Sequence, residues 1–123
     1  MDSVYTTTSK TLNSAKGKKA EAVAERYLID NKYKILEKNF KTIIGEIDII
    51  AKQQDGRIIF VEVKFRNTAK HGYPREAVTP EKQRKIRLVA EQYLRMKKLI
   101  NAYTRFDVIE ILNSQINHLQ NAF

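Results

Sequence analysis

Apolar positions fall into two rhythms along this chain. Ala20, Val23, Ala24, Tyr27 and Leu28 recur at helical spacing, which predicts an amphipathic helix over 14–30. Asn31 follows as a plausible stop, because asparagine tolerates the left-handed conformation that ends helices. The next stretches, 33–42, 43–52 and 57–66, are β-branched and apolar-rich and predict three strands. Gln53-Gln54-Asp55-Gly56 separates the last two, and an Asp-Gly pair in that position signals a hairpin. Residues 67–79 carry Gly72, Tyr73 and Pro74 and read as a loop. Thr79-Pro80 then opens a second helix, with threonine as N-cap and proline at the first helical position. Its stripe is Ile86, Val89, Ala90, Tyr93 and Leu94, and it runs to about Lys98. A strand over 105–112 follows, and 116–123 is either a short last strand or a packed tail. The order α-β-β-β-α-β, with room for one more strand, predicts an α/β fold: a mixed sheet flanked by helices.

Two strands carry charges where their neighbours are apolar. Strand side chains alternate faces, so Glu46 and Asp48 share one face and Ile47 and Ile49 the other. Glu62, Lys64 and Arg66 likewise share a face, opposite Val61, Val63 and Phe65. Directly opposed residues of an antiparallel hairpin point the same way and have a constant sum of numbers. A sum of 110 sets Asp48 against Glu62 and Glu46 against Lys64 and keeps polar and apolar faces separate. A sum of 111 mixes them, which the pattern disfavours. The even register needs a three-residue loop, Gln54-Asp55-Gly56, with Gly56 left-handed.

Opposed side chains lie about 5 Å apart at Cβ, so Asp48 and Glu62 repel unless something neutralises them. A divalent cation such as Mg²⁺ does so with few carboxylate oxygens, acidifying a bound water and stabilising phosphate charge. Lys64, one pleat along, is placed to orient or deprotonate that water. The alternative is a solvated strand face with a Glu46–Lys64 ion pair. Ile50, Ile58 and Phe60 share the acids' face and argue against it, since partly buried acids without partners are costly.

These residues also stand in a longer string. Gly17 with Glu21, Tyr27-Leu28, Asn39-Phe40, Gly45-Glu46-Ile47-Asp48, Phe60-Val61-Glu62-Val63-Lys64, Lys82-Gln83, Arg105-Phe106-Asp107-Val108 and Asn121-Ala122-Phe123 occur in that order. Asp48 followed by Glu62-x-Lys64 resembles the PD-(D/E)XK nuclease superfamily. The whole string, over about 16–123, resembles the YraN-like family of small bacterial proteins. The resemblance implies a restriction-endonuclease-like core. It also implies a likeness to archaeal Holliday-junction resolvases, in which a helix-borne glutamate joins the metal site; Glu21 matches that position. Glu25, one turn on, is the reserve candidate, and Glu46 is an accessory acid. Gln83 matches a polar position that such nucleases aim at the site. Ile47 stands where the superfamily's name motif has proline.

Composition adds direction. With 23 Lys and Arg against 14 Asp and Glu, the formal net charge is +9, the footprint of a protein that meets a polyanion. Lys82, Arg84, Lys85 and Arg87 cluster at the second helix's start, where helix N-termini already favour anions. Lys16, Lys18 and Lys19 offer a second grip, Arg66 a contact to the cleaved strand, and Tyr73 a surface for base stacking. His71, a lone loop histidine, is a candidate substrate contact, His118 has no identifiable partner, and Arg105 and Asp107 read as a strand-end ion pair or solvated positions. No cysteine is present, so disulfides and thiolate metal sites are excluded.

The apolar runs are far short of a membrane span, and the Ser/Thr-rich start lacks the features of a signal peptide. Residues 1–13 read as a loose arm before one domain, 14–123, in a cytoplasmic protein. The expectation is a nuclease using Mg²⁺ or Mn²⁺ on DNA, with branched or repair structures as candidate substrates and a homodimer as candidate assembly. The alternative is a nucleic-acid-binding or protein-interaction module on the same fold without cleavage.

Overall fold

A computed structural model describes residues 13–66 and 78–123; side chains are described from Gly17. The elements are α1 (Asn13–Asp30), β1 (Lys34–Lys41), β2 (Glu46–Lys52), β3 (Ile58–Arg66), α2 (Pro80–Met96), β4 (Thr104–Leu112) and β5 (Gln115–Leu119). Among the described residues the strands form one sheet in the order β1-β2-β3-β4-β5. All neighbours are antiparallel except β3 and β4. That parallel pair needs a crossover, and α2 lies within it. No described helix is long and apolar enough to cross a membrane. The mixed sheet and the element order agree with the sequence expectation.

One helix lies on each face of the sheet. Ala20, Ala24 and Leu28 of α1 pack on Ile49, Ala51, Ile59, Val61, Ile109 and Ile111. Alanines at successive turns let the helix approach the strands closely. Ile86, Val89, Ala90 and Tyr93 of α2 pack on Ile50, Ile58, Phe60 and Val108 from the other side. Thr79 caps α2 by accepting from the Lys82 amide, and Pro80 follows it, as the sequence predicts. Helix α1 ends at Asp30, as expected, but Asn31 is not the left-handed residue that follows it. Lys32 takes the left-handed conformation (φ 73°), and the Asn31 side chain instead donates to Tyr27 O. The chain's end combines both expected forms, with β5 pairing to β4 and Ala122 and Phe123 packed behind it.

The β2–β3 hairpin has the even register. Ile49 pairs with Val61, Ile50 with Phe60, Ala51 with Ile59 and Lys52 with Ile58. Gln53 N–H donates to Arg57 O and Gly56 N–H to Gln53 O, and Gly56 has φ +96°. This is the three-residue loop with a left-handed glycine that the register demands.

Beyond Ile49 the expected alternation fails. Ile47 packs with Ile50 and Phe60 on the α2 side, whereas Ile49 packs on the α1 side. The cause lies at the β1–β2 pair. Phe40 pairs with Ile47 and Lys38 with Ile49, and Asn39 between them has φ 51°, outside the strand region. Phe40 joins the α2-side cluster together with Ile47. The β2–β3 ladder stops at Ile49, so Asp48 is not a ladder partner of Glu62, nor Glu46 of Lys64. Glu46 pairs instead with Lys41 across the β1–β2 hairpin.

Candidate active site

Where β2 leaves β3, a side chain takes the place of the ladder. Val63 N–H donates to Asp48 Oδ2 at 2.8 Å. That bond holds the Asp48 carboxylate beside Glu62, although the two residues are not backbone partners. Glu62 is 6% exposed, on the same face as buried Phe60. Two lysines converge on it. Lys82 Nζ lies 2.6 Å and Lys64 Nζ 3.6 Å from the same oxygen, Oε2. Lys64 reaches it along its own strand, and Lys82 from the first turn of α2.

This crowding shifts each group in a definable direction. The Asp48 carboxyl is pushed up to about 7, first by burial and then by the charge of Glu62, with Glu21 adding to the effect. The Val63 amide and Lys82 pull the other way. Lys64 is held below the usual lysine range, by burial first and by the Lys82 ammonium second. Burial also works against the charge on Lys82, but its contact with Glu62 outweighs burial and raises it.

The helix-borne acids are placed differently. Glu21 is half-buried, accepts from Asn39 Nδ2 at 2.9 Å and is close enough to act on the charge of Asp48. The left-handed Asn39 thus spans α1 and the irregular part of β1. Glu25 is engaged by Lys38 Nζ at 2.9 Å. No three Asp, Glu or His side chains converge on one point among the described residues. The arrangement is a carboxylate pair, Asp48 and Glu62, with Glu21 behind it. This donor set suits Mg²⁺ or Mn²⁺, which bind through one or two carboxylates and complete their shell with water and phosphate oxygens. It does not suit zinc in a closed protein cage.

The basic residues split into separate duties. Arg84 pairs with Glu81 at 2.8 Å, and Arg87 lies over the Phe106 ring at 4.7 Å. Lys85, Lys18 and Lys19 are exposed. Gln83 turns its amide to Val78 O at 2.8 Å rather than toward the carboxylates. Arg66 Nε lies 3.1 Å from Glu110 Oε2, with a geometry that makes an ion pair but no hydrogen bond. Tyr73 and His71 fall outside the described residues.

Sequence reasoning missed Glu110 and a buried polar network under α1. Arg105 and Asp107 form the ion pair that the sequence offered as one of two readings, but Asp107 is fully buried, not solvated. Its Oδ1 accepts from Arg105 Nε at 2.8 Å and from the Asn121 amide at 3.0 Å. Its Oδ2 lies 2.8 Å from Arg105 Nη2 and 2.7 Å from His118 Nε2. Arg105 also donates to Gln53 and Tyr33, and Tyr27 OH meets His118 Nδ1 at 3.0 Å. Because Asp107 accepts at Nε2, the proton of a neutral His118 sits on that nitrogen, leaving Nδ1 to accept from Tyr27. Strand parity carried the signal: Asp107 shares a face with Ile109 and Ile111, which are core, and Glu110 with Val108.

Sheet order, the helix on each face, and the Asp–Glu–Lys group at the end of the β2–β3 ladder together define a small α/β domain with a mixed five-stranded sheet and a carboxylate–lysine cluster at one end of a hairpin. The chain belongs to the uncharacterised protein family UPF0102, whose model matches residues 20–111. It is 52% identical over 113 residues to a UPF0102 protein of Clostridioides difficile (strain 630), a match covering 90% of this chain and 98% of that one. A UPF0102 protein of Clostridium beijerinckii (strain ATCC 51743 / NCIMB 8052) is 45% identical over 120 residues, covering 93% and 97% of the two chains. One of Persephonella marina (strain DSM 14350 / EX-H1) is 44% identical over 108 residues, covering 88% and 92%. Among solved structures, a chain described as "Structure of EndoMS-dsDNA2 complex" aligns with 76% of this chain and 34% of its own length, at 21% identity and a TM-score of 0.38.

Proposed function

We propose that this protein is a metal-dependent nuclease that hydrolyses phosphodiester bonds in DNA. The observation that carries the reading is the pairing of Asp48 with buried Glu62 beside two lysines, at a point where the sheet gives up its own ladder to hold Asp48. Opposed acids have no evident use in a plain polyanion-binding surface, where they repel the ligand. Asp48 and Glu62 are the groups to hold Mg²⁺ or Mn²⁺, with Glu21 in reserve behind Asp48. Such an ion supplies a more acidic bound water and charge stabilisation at the phosphate. Lys64, lowered below the usual lysine range beside the pair, is suited to take a proton from that water or to donate to the developing charge. Exposed Lys85, Lys18 and Lys19 give phosphate contacts that position the strand without reading sequence. Branched or damaged DNA fits this backbone-directed grip.

A second reading is a nucleic-acid-binding module without cleavage. One observation favours it: Lys82 already neutralises part of the charge on Glu62. Incubation of the protein with branched, duplex and single-stranded DNA separates the two. The nuclease reading expects cleavage with Mg²⁺ or Mn²⁺ that EDTA abolishes and that is slowed by added salt. Salt-sensitive binding to all three DNAs with no cleavage under any of these metals would establish the second reading instead.

A further inference from the structure

Lys82 stands apart from the other cations of α2. Arg84 is turned to Glu81 and Arg87 to the Phe106 ring, so neither competes for the acids of the site. Lys82 reaches inward: its side chain is 44% exposed, yet its ammonium ends 2.6 Å from an oxygen of a carboxylate that is 6% exposed. It comes closer to Glu62 than Lys64 does, although Lys64 lies on the same strand as Glu62. Its backbone is fixed, because the Lys82 amide donates to the Thr79 cap. Only the flexible four-carbon stem has to move for the ammonium to leave.

We propose that Lys82 is a built-in counter-ion that a divalent cation displaces from Glu62, and that the released ammonium then binds a phosphate of the nucleic acid. The proposal rests on the metal-site reading of Asp48 and Glu62. An ammonium in contact with Glu62 Oε2 and a divalent ion held by the same carboxylate repel at short range in a partly buried site. The mobile partner is Lys82, since Glu62 is buried in the sheet and Lys82 is half in solvent. Once released, it stays at the opening turn of α2, beside amide groups that also favour an anion. Metal and nucleic acid thereby become linked through one side chain. Without metal, Glu62 retains Lys82 and the lysine adds little to the grip on DNA. With metal, the lysine is free for phosphate. By reciprocity, DNA that holds Lys82 away from Glu62 tightens metal binding by the same factor. Lys82 is on this view a positioning residue whose loss strengthens one ligand and weakens the other.

Calorimetric titration of Mn²⁺ into the full chain and its Lys82→Met and Lys82→Arg variants tests the first half. Lys82→Met is expected to bind Mn²⁺ about tenfold more tightly than the unmodified protein, and Lys82→Arg to stay near it. A merely structural role would not tighten metal binding. Thermal melts confirm that the variants are folded; methionine suits a helix and the cap uses only the Lys82 backbone. For the second half, affinity for a short DNA duplex is measured in EDTA and in Ca²⁺. Lys82→Met should change it less than about twofold in EDTA but weaken it by about tenfold in Ca²⁺, with the salt slope reduced by about one there. Equal or weaker Mn²⁺ binding by Lys82→Met overturns the counter-ion role and leaves the metal site standing. A DNA-binding defect of equal size with and without Ca²⁺ overturns the linkage. Failure of all three proteins to bind Mn²⁺ overturns the metal site and this proposal with it.

Discussion

An Asp48→Asn variant is expected to lose at least about a thousandfold in DNA cleavage while becoming more stable than the unmodified protein above neutral pH. The loss follows from removing one of the two carboxylates proposed to hold the ion, whose charge stabilisation is worth several kcal/mol of barrier. The gain follows from linkage. In the folded, metal-free protein the Asp48 carboxyl is pushed up from 3.8 to about 7, so folding favours its protonated form. The stability associated with that proton is fully present below the unfolded value and is lost as pH rises through about 7. Asparagine carries no ionisable proton, and its side-chain oxygen can still accept from the Val63 amide. Melts in EDTA at pH 5 and pH 8 should show the unmodified protein losing stability between the two relative to Asp48→Asn, by about 5 °C or more. Parallel pH profiles for the two proteins would count against the assigned burial of Asp48. The same carboxyl predicts that metal binding releases a proton and weakens below about pH 7.

The largest effect on stability is expected far from these acids, at Asp107. Its two oxygens sit within 3.0 Å of Arg105 Nε, Arg105 Nη2, His118 Nε2 and the Asn121 amide. Burial alone raises a carboxylate; here the bonds from His118, Arg105 and the Asn121 amide outweigh it and hold Asp107 below its usual range. Asp107→Ala leaves a buried guanidinium whose remaining partners among the described residues are Gln53 and Tyr33, and removes the bond that ties the Asn121 amide to β4. Breaking a buried charge pair by removing one partner costs about 3–5 kcal/mol. For a chain of this size that corresponds to a fall in Tm of about 10–20 °C. Urea or thermal unfolding followed by circular dichroism measures it. A change under about 1 kcal/mol would show that the network is a solvated ion pair after all. Because the network ties α1, the β2–β3 loop, β4 and β5 together, Asp107→Ala should lower Tm without changing how the folded protein binds metal.

Much of this architecture could be read from residue order because local rules decided it. The three-residue loop, Gly56 and the even register follow from setting apolar Ile49 against Val61 rather than against Glu62. Thr79-Pro80 fixes the start of α2 by capping chemistry alone. What could not be read depends on contacts between distant segments. The flip at Ile47 arises from the left-handed Asn39 on a neighbouring strand, a conformation no period-two pattern announces. It converts the expected side-by-side ladder pair into an Asp48 held by a backbone amide. Lys82 read as one basic residue among four in sequence, because only the packing of α2 over the sheet sets it against Glu62. His118 found no partner in sequence, since Tyr27 lies 91 positions away. The burial of Asp107 is legible in its parity with Ile109, which outweighs its charge.

Cleavage by this protein would depend above all on Asp48 and Glu62 together holding a divalent cation. A crystal of the protein soaked with Mn²⁺ and measured for anomalous scattering tests it most directly. A peak is expected between the Asp48 and Glu62 carboxylates, within about 2.3 Å of an oxygen from each, and it should disappear in Asp48→Asn. A crystal in saturating Mn²⁺ with no anomalous density at that position, and Lys82 still against Glu62, would contradict it.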